Sequence, residues 1–205
     1  MQPGLISIVI WLAVVILWWS GWRKELSAGL PEWGVTLFLV LWPFSYARTY
    51  SLGALGELNL GLVLIVLAAL LASLTLPKIR RWTSLAAGLL IGSISLFMSK
   101  LTLVIPSLLA ANPRWYLAGL IGIIAVMLLR CPLEQWLAIT AGLALSSFAD
   151  AWLRTEPRGI SLLGDSEWMA GWWLAVGCSR SLSYLMQRVG AVWSRLNLRK
   201  GGERT

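Results

Sequence analysis

The sequence predicts an all-α fold, a polytopic bundle of transmembrane helices. Of its 205 residues, 58% are hydrophobic and only 13% are charged, and the mean hydropathy is +0.75. Soluble domains are closer to half apolar and a quarter charged, so too few polar side chains remain here to cover a surface that faces water. The apolar residues also form long runs, and about 20 consecutive apolar residues are enough for a helix to cross a bilayer.

Seven apolar runs are predicted to span. They cover 4–22, 33–52, 58–76, 83–99, 115–129, 133–152 and 167–186. The second is the weakest: its cleanest core, 34–47, would measure only about 21 Å, and extension to Leu52, with Arg48 reaching the headgroups, restores its length. Segment 101–113, which contains Pro106, is interpreted either as an interfacial or re-entrant helix or as a continuation of the fourth span.

The basic residues predict the orientation of these spans. No basic residue precedes the first run, which is therefore expected to be retained as a span rather than removed as a signal peptide. With the N-terminus outside, eleven of the 17 Lys and Arg residues fall in cytoplasmic segments and four fall outside. Cytoplasmic loops of membrane proteins carry such an excess. The C-terminus is accordingly predicted to be cytoplasmic.

Residues 187–205 are predicted to form a basic cytoplasmic tail after a transmembrane domain at 1–186. The tail is interpreted either as an amphipathic helix on the anionic inner leaflet or as a continuation of the seventh helix into water. Its apolar residues recur at helical spacing, at Val189, Val192, Trp193 and Leu196. The expected partners are the lipid bilayer and anionic lipids at the cytoplasmic face. Nucleic acid is not expected, because the basic residues form short clusters beside apolar runs.

Tryptophan is abundant, with 14 residues. Eleven lie near predicted span ends and are interpreted as a belt at the membrane–water interface, where an indole ring is half buried. They are Trp18, Trp19, Trp22, Trp33, Trp82, Trp115, Trp136, Trp152, Trp168, Trp172 and Trp173. A Trp-lined ligand site is the alternative interpretation. Trp11 and Trp42 lie deeper in their spans and are the better candidates for it.

Small residues recur four positions apart in the last four spans. Such pairs let helix backbones approach closely in lipid, where dispersion replaces the hydrophobic effect. The pairs are Gly88 and Gly92, Ala118 and Gly122, Ala138 and Gly142, and Gly171 and Ala175. They predict that the fourth to seventh helices form a compact bundle.

Three ionisable residues inside the spans are the candidate functional residues, because a charge in hydrocarbon is costly. Lys100 and Asp150 lie near the outer ends of the fourth and sixth spans. They are expected either to pair with each other, to guard the entrance for a small solute, or to reach the headgroups. Arg180 lies two-thirds of the way along the seventh span. It is expected either to bind a lipid phosphate or a substrate anion, or to reach the headgroups.

No catalytic, cofactor or metal site is predicted. The chain has no His, which excludes His-based acid–base chemistry and His-ligated metals. Cys131 and Cys178 are expected to be unpaired thiols. The outer loop 153–166 contains Glu156 and Asp165, and two carboxylates can perform acid–base catalysis. The favoured interpretation is a solvated loop in which Asp165 or Ser166 caps the seventh helix, with Glu167 in its first turn.

The Trp-dense first span, the basic tail and the string GDSEWM, from Gly164 to Met169, resemble the YphA-like family of small membrane proteins from Bacillales. The resemblance implies a bacterial plasma membrane location and brings no activity or site residues with it.

The favoured interpretation of function is a non-enzymatic structural or accessory factor of the cell envelope. Two alternatives stay open. A small-solute or lipid transporter component is expected to have a polar cavity at mid-membrane. A membrane-embedded lipid-modifying enzyme is expected to hold two carboxylates over a lipid-accessible groove.

Overall fold

The computed structural model describes residues 3–27, 29–51, 57–104, 113–153 and 162–201, and they are mostly helical. The all-α prediction is confirmed at this level. The helices are α1 Pro3–Trp19, α2 Arg23–Ser27, α3 Glu32–Tyr46, α4 Leu60–Ser73, α5 Lys78–Val104, α6 Pro113–Leu128, α7 Pro132–Leu153 and α8 Ser166–Gly201. Three short strands, β1 Thr49–Ser51, β2 Glu57–Asn59 and β3 Leu162–Leu163, form one small sheet.

Each predicted span coincides with a helix, but the second was drawn too long. Helix α3 ends at Tyr46, and Thr49–Ser51 form β1 instead of a last helical turn. Strand β1 pairs antiparallel with β2, which pairs parallel with β3. Thr and Tyr favour extended backbone where a partner strand is present. Arg48 lies exposed in the link between α3 and β1, so the prediction of helix for 47–52 is wrong where the structure describes it.

The helices at the predicted spans also differ in whether they are long enough to cross a membrane. By length and composition, two helices could cross a membrane, at Lys78–Thr102 and Pro132–Leu153. Three other apolar helices are shorter, at Gly4–Trp19, Leu60–Ser73 and Trp115–Leu128. Helix α4, for example, has 14 residues, about 21 Å of length against a hydrocarbon core of about 30 Å. These helices give weak support for membrane association, and fewer spans meet the criterion than the seven predicted.

The helices other than α2 run alternately between two ends of the bundle. At the end that carries the sheet, called the sheet end, Asn59 joins α3 to α4. Its side-chain amide donates to Tyr46 O at 3.1 Å, and its Oδ1 accepts from Gly61 N at 2.7 Å, which caps α4. The opposite end, called the basic end, is formed by α2 and the α4–α5 and α6–α7 turns. There the Arg81 guanidinium donates to Ser73 O at 3.0 Å and closes the α4–α5 turn.

Helix α7 is the centre of the bundle and packs most extensively on α5. Glycines permit this contact. A Cβ on Gly142 would lie 2.7 Å from Gly88 O, and one on Gly92 would lie 2.8 Å from Gly142 O. A Cβ on Gly122 would likewise meet Cys178 Cβ of α8 at 2.9 Å. The predicted close approach is confirmed at these glycines. It is wrong for Gly171, which has nothing within 4 Å of a built Cβ.

Helix α8 continues through the predicted domain boundary at 186/187 and reaches Gly201. The backbone of the tail is therefore an extension of the seventh predicted helix. Of segment 101–113, α5 takes the first four residues and α6 begins at Pro113. Residues 105–112 and most of the outer loop, including Glu156, lie outside the described residues.

Candidate functional site

Aromatic side chains from α1, α3, α7 and α8 fill the interior between those helices. The group, called the aromatic cluster, consists of Trp11, Phe38, Trp42, Tyr46, Trp136, Trp172 and Trp173. Ring centroids of Trp42 and Trp173 lie 5.4 Å apart, edge to face. The Trp42 ring stacks on Tyr46 at 5.1 Å. Such offset and edge-on contacts add to the burial energy of the rings.

Burial of Trp18, Trp172 and Trp173 corrects the predicted interfacial belt. These three side chains are at most 4% exposed and belong to the core. The indole of Trp18 donates to Thr36 Oγ1 at 3.1 Å, and that of Trp172 donates to Thr140 Oγ1 at 3.0 Å. Position near a span end does not fix the side of the helix from which a ring projects. Six of the eleven are exposed: Trp19, Trp22, Trp33, Trp82, Trp115 and Trp152.

Three buried polar side-chain atoms have no hydrogen-bond partner among the described residues, and two of them belong to rings of the aromatic cluster. They are Trp42 Nε1, Trp173 Nε1 and Ser7 Oγ. The neighbouring Trp11 indole, in contrast, donates to Leu39 O at 3.0 Å. Trp42 and Trp173 are therefore positioned by ring contacts and by exclusion of water rather than by polar bonds within the described chain.

Lys100 and Asp150 form an ion pair that joins α5 to α7. Lys100 lies in the last turns of α5 and Asp150 in the last turn of α7, so both sit at the sheet end. Their side chains are 41% and 21% exposed. Of the arrangements expected for these two residues, the structure shows the ion pair. It clamps two helices that already pack on each other through glycine.

Arg180 lies toward the basic end and faces α2. Its Nη2 atom donates to the backbone carbonyls of Glu25 at 3.0 Å and of Leu26 at 2.9 Å. These carbonyls belong to the last turn of α2, where helical partners are lacking. A guanidinium has five N–H groups. The Nε and Nη1 atoms of Arg180 have no hydrogen-bond partner within the described part of the chain.

A cavity of about 250 Å³ lies beside this guanidinium. It is open on one side and is bounded by α1, α2, α8 and the start of α7. Its lining residues are Leu17, Trp22, Glu25, Leu26, Pro132, Arg180, Ser181, Ser183, Tyr184 and Gln187. The polar part of the lining comes mainly from about two turns of α8, between Arg180 and Gln187, so a single helix positions most of the groups that could contact a ligand.

No family model, curated protein or solved structure matches the chain. The resemblance to the YphA-like family therefore stays a prediction. The geometry of the residues alone carries the functional argument.

A buried polar network supports the cavity from α7. The Ser183 hydroxyl donates to Gln135 Oε1 at 3.0 Å, and the Gln135 amide donates to Leu129 O at 2.8 Å. Next to it, Arg80 pairs with the buried Glu134 at 3.6 Å. Glu134 and Gln135 are not among the candidate residues predicted from the sequence. The signal that could have found them is the adjacent polar pair Glu134-Gln135 at the start of a predicted span, where a buried polar side chain requires a partner.

The remaining candidates have structural roles. Asp165 Oδ1 accepts from Trp168 N at 2.8 Å, so the predicted cap of the last helix is confirmed, with Glu167 in its first turn. The Cys131 and Cys178 thiols are not bonded to each other. Within the described residues, no group of three His, Cys, Asp or Glu could hold a metal ion.

Proposed function

We propose that this chain is a multi-pass membrane protein of the bacterial plasma membrane that acts as a non-enzymatic structural or accessory factor of the cell envelope. In this proposal the seven helices other than α2 cross the bilayer with the basic end in the cytosol. The observation that carries the functional part is the aromatic cluster. An interior occupied by rings provides a stable shape with outward-facing surfaces rather than a route for a solute.

The distribution of polarity supports placement in lipid. Large apolar side chains are exposed along α1, namely Leu5, Ile8, Val9, Leu12, Ile16 and Leu17. Others are exposed along α4 and at its C-cap, namely Leu67, Leu70, Leu71 and Leu74. Meanwhile Ser7, Ser84, Gln135 and Thr140 are almost fully buried. A monomeric protein in water rarely exposes contiguous apolar surface of this kind. In lipid the same faces need no further cover.

The charge distribution supports the orientation. Arg23, Lys24, Lys78, Arg80 and Arg81 lie in or beside α2 and the α4–α5 turn. These elements share the basic end. Basic residues at one end of a helical bundle favour its retention in the cytosol. The short helices α3, α4 and α6 are accommodated by local thinning of the bilayer and by interfacial Trp residues, each at modest cost.

Two measurements test the proposal. Single cysteines introduced at Lys24 and at Thr49, in a chain with Cys131 and Cys178 changed to Ala, are labelled in intact cells by a membrane-impermeant maleimide. We expect label at Thr49 only. Labelling of the cysteine at position 24 in intact cells would show that the orientation is the opposite of the one proposed. A chain that stays monodisperse in buffer without detergent would refute the membrane proposal.

The functional part is tested by flux. Liposomes containing the purified protein and loaded with small solutes, anionic and cationic, are expected to release them no faster than empty liposomes. Saturable release through the wild-type protein would contradict the accessory role and favour transport.

A second candidate is a lipid transporter component. It draws on one observation, the cavity beside Arg180, which lies at the basic end instead of mid-bundle. A lipid-modifying enzyme has less support, because Asp165 is engaged in capping α8, and its proposed partner Glu156 lies outside the described residues.

A further inference from the structure

We propose that the cavity beside Arg180 is a binding site for a phosphate-class anion, either the phosphodiester of an anionic lipid headgroup or free phosphate. The anion site follows from the cavity itself. Only the lipid source depends on the proposed membrane placement.

Arg180 supplies the recognition. Two of its five N–H groups hold the carbonyls of Glu25 and Leu26. These bonds fix the plane of the guanidinium at the cavity wall and leave the Nε and Nη1 donors for a ligand. A fixed cation with available donors suits a phosphate oxygen, since charge-assisted hydrogen bonds are about twice as strong as neutral ones and less side-chain freedom is lost on binding.

Tyr184 provides a second donor one turn further along α8. Its hydroxyl accepts a hydrogen bond from Arg188 Nε at 2.8 Å, so the hydroxyl's own hydrogen is available to a ligand. The guanidinium of Arg188 lies 5.0 Å from the centre of the same ring. A second positive charge is therefore present at the edge of the cavity. Ser181 and Gln187 add neutral polar groups to the lining.

One carboxylate opposes this arrangement. Glu25 lines the cavity, but its side chain is exposed, so water screens its charge. Its neighbours on α2, Arg23 and Lys24, are cations, although Arg23 also pairs with Glu32 at 3.8 Å. The balance of charge around the opening remains positive.

The size and the apolar wall fit a headgroup. Drug-sized ligands occupy cavities of roughly 300–1,000 Å³. This cavity measures about 250 Å³, so its volume suits a smaller group such as a phosphate-bearing headgroup. One wall is formed by Leu17, Trp22, Leu26 and Pro132. An apolar wall next to anion donors matches the junction between a lipid phosphate and its glycerol and acyl chains.

The test measures binding to the full-length protein by titration calorimetry in a neutral maltoside detergent. The probes are dioctanoyl phosphatidylglycerol, inorganic phosphate, and dioctanoyl glycerol, which lacks the phosphate. We expect saturable binding of phosphatidylglycerol and not of dioctanoyl glycerol. If inorganic phosphate also binds and competes, free phosphate is a ligand; if it does neither, the site reads a lipid headgroup. Absence of saturable binding by both anions, or equal binding of dioctanoyl glycerol, overturns the proposal.

Variants locate the binding. Ser181→Glu places a carboxylate in the cavity without removing the Arg180 hydrogen bonds, and Ser181→Gln is its neutral control of equal size. We expect Ser181→Glu to lose at least roughly tenfold in affinity for phosphatidylglycerol. We expect Ser181→Gln to change this affinity by less than about twofold. Equal affinities would refute the site.

A second pair tests the guanidinium. Arg180→Gln should lose affinity as strongly as Ser181→Glu, whereas Lys78→Gln removes an exposed charge at the same end and should leave it unchanged. Equal losses would indicate general charge attraction and overturn the proposal. The Ser181 pair decides the question if Arg180→Gln does not fold. These outcomes are separate from the accessory role, which cysteine labelling and flux address.

Discussion

The contact between α5 and α7 makes Gly142→Ala the most informative substitution. The new Cβ would lie 2.7 Å from Gly88 O, 2.9 Å from Ile91 Cγ2 and 3.0 Å from Gly92 N. Two of these three atoms belong to backbone, which cannot turn away as a side chain can. Ordinary contact needs separations of 3.4 Å or more, so α5 must shift by several tenths of an ångström along much of its packed length.

The magnitude follows from two opposing terms. Overpacking a well-packed core costs about 1–3 kcal/mol. Replacing a helical Gly with Ala returns up to about 1 kcal/mol of helix propensity. Gly119→Ala is the matched control, because Gly119 is helical and a Cβ there has nothing within 4 Å. The control isolates the propensity term, so Gly142→Ala should be less stable than Gly119→Ala by about 1–3 kcal/mol.

Unfolding in maltoside micelles by titration with SDS, followed by tryptophan fluorescence, measures this difference. Both variants are compared with the wild-type protein under identical detergent conditions. A free energy of unfolding that is the same for the two variants, within about 0.5 kcal/mol, would refute the close backbone contact.

Three further comparisons test individual interactions by the same assay. Trp172→Phe should cost about 1–2 kcal/mol more than Trp173→Phe, because only the Trp172 indole loses a hydrogen bond and leaves a buried hydroxyl without its donor; equal costs would contradict this. Lys100→Met and Asp150→Asn, combined in a double-mutant cycle, should give a coupling energy of about 1 kcal/mol, reduced by partial exposure of the pair, and a coupling near zero would show that the pair adds nothing. Asp165→Ala should destabilise by about 0.5–2 kcal/mol, while Asp165→Asn should retain most of the cap; the reverse order would exclude capping through Oδ1.

The helices could be predicted from sequence because lipid and protein interiors both favour long apolar runs, and each run has a polar or glycine-containing boundary. Their lengths were predicted less well. The end of α3 depends on β1 pairing with β2 and on Leu60 N donating to Arg48 O at 3.0 Å. Such contacts form only after the chain has folded back, and hydrophobic periodicity contains no information about them.

The candidate site was predicted in part for a related reason. A charge in an apolar run is visible in sequence, which is how Arg180 was selected. Its partners were not visible, because the carbonyl of Leu26 is 154 positions away along the chain. The buried position of Trp172 was missed as well. Distance from a span end is a one-dimensional property, whereas burial depends on the direction around the helix axis.

Helix α8 extends without interruption over 36 residues, from just after its cap to Gly201. At about 1.5 Å per residue it is about 54 Å long, nearly twice the roughly 30 Å of a hydrocarbon core. In the proposed membrane placement this length means that the helix outlasts the hydrocarbon core, so its last turns extend past the basic end of the bundle into the surrounding aqueous layer.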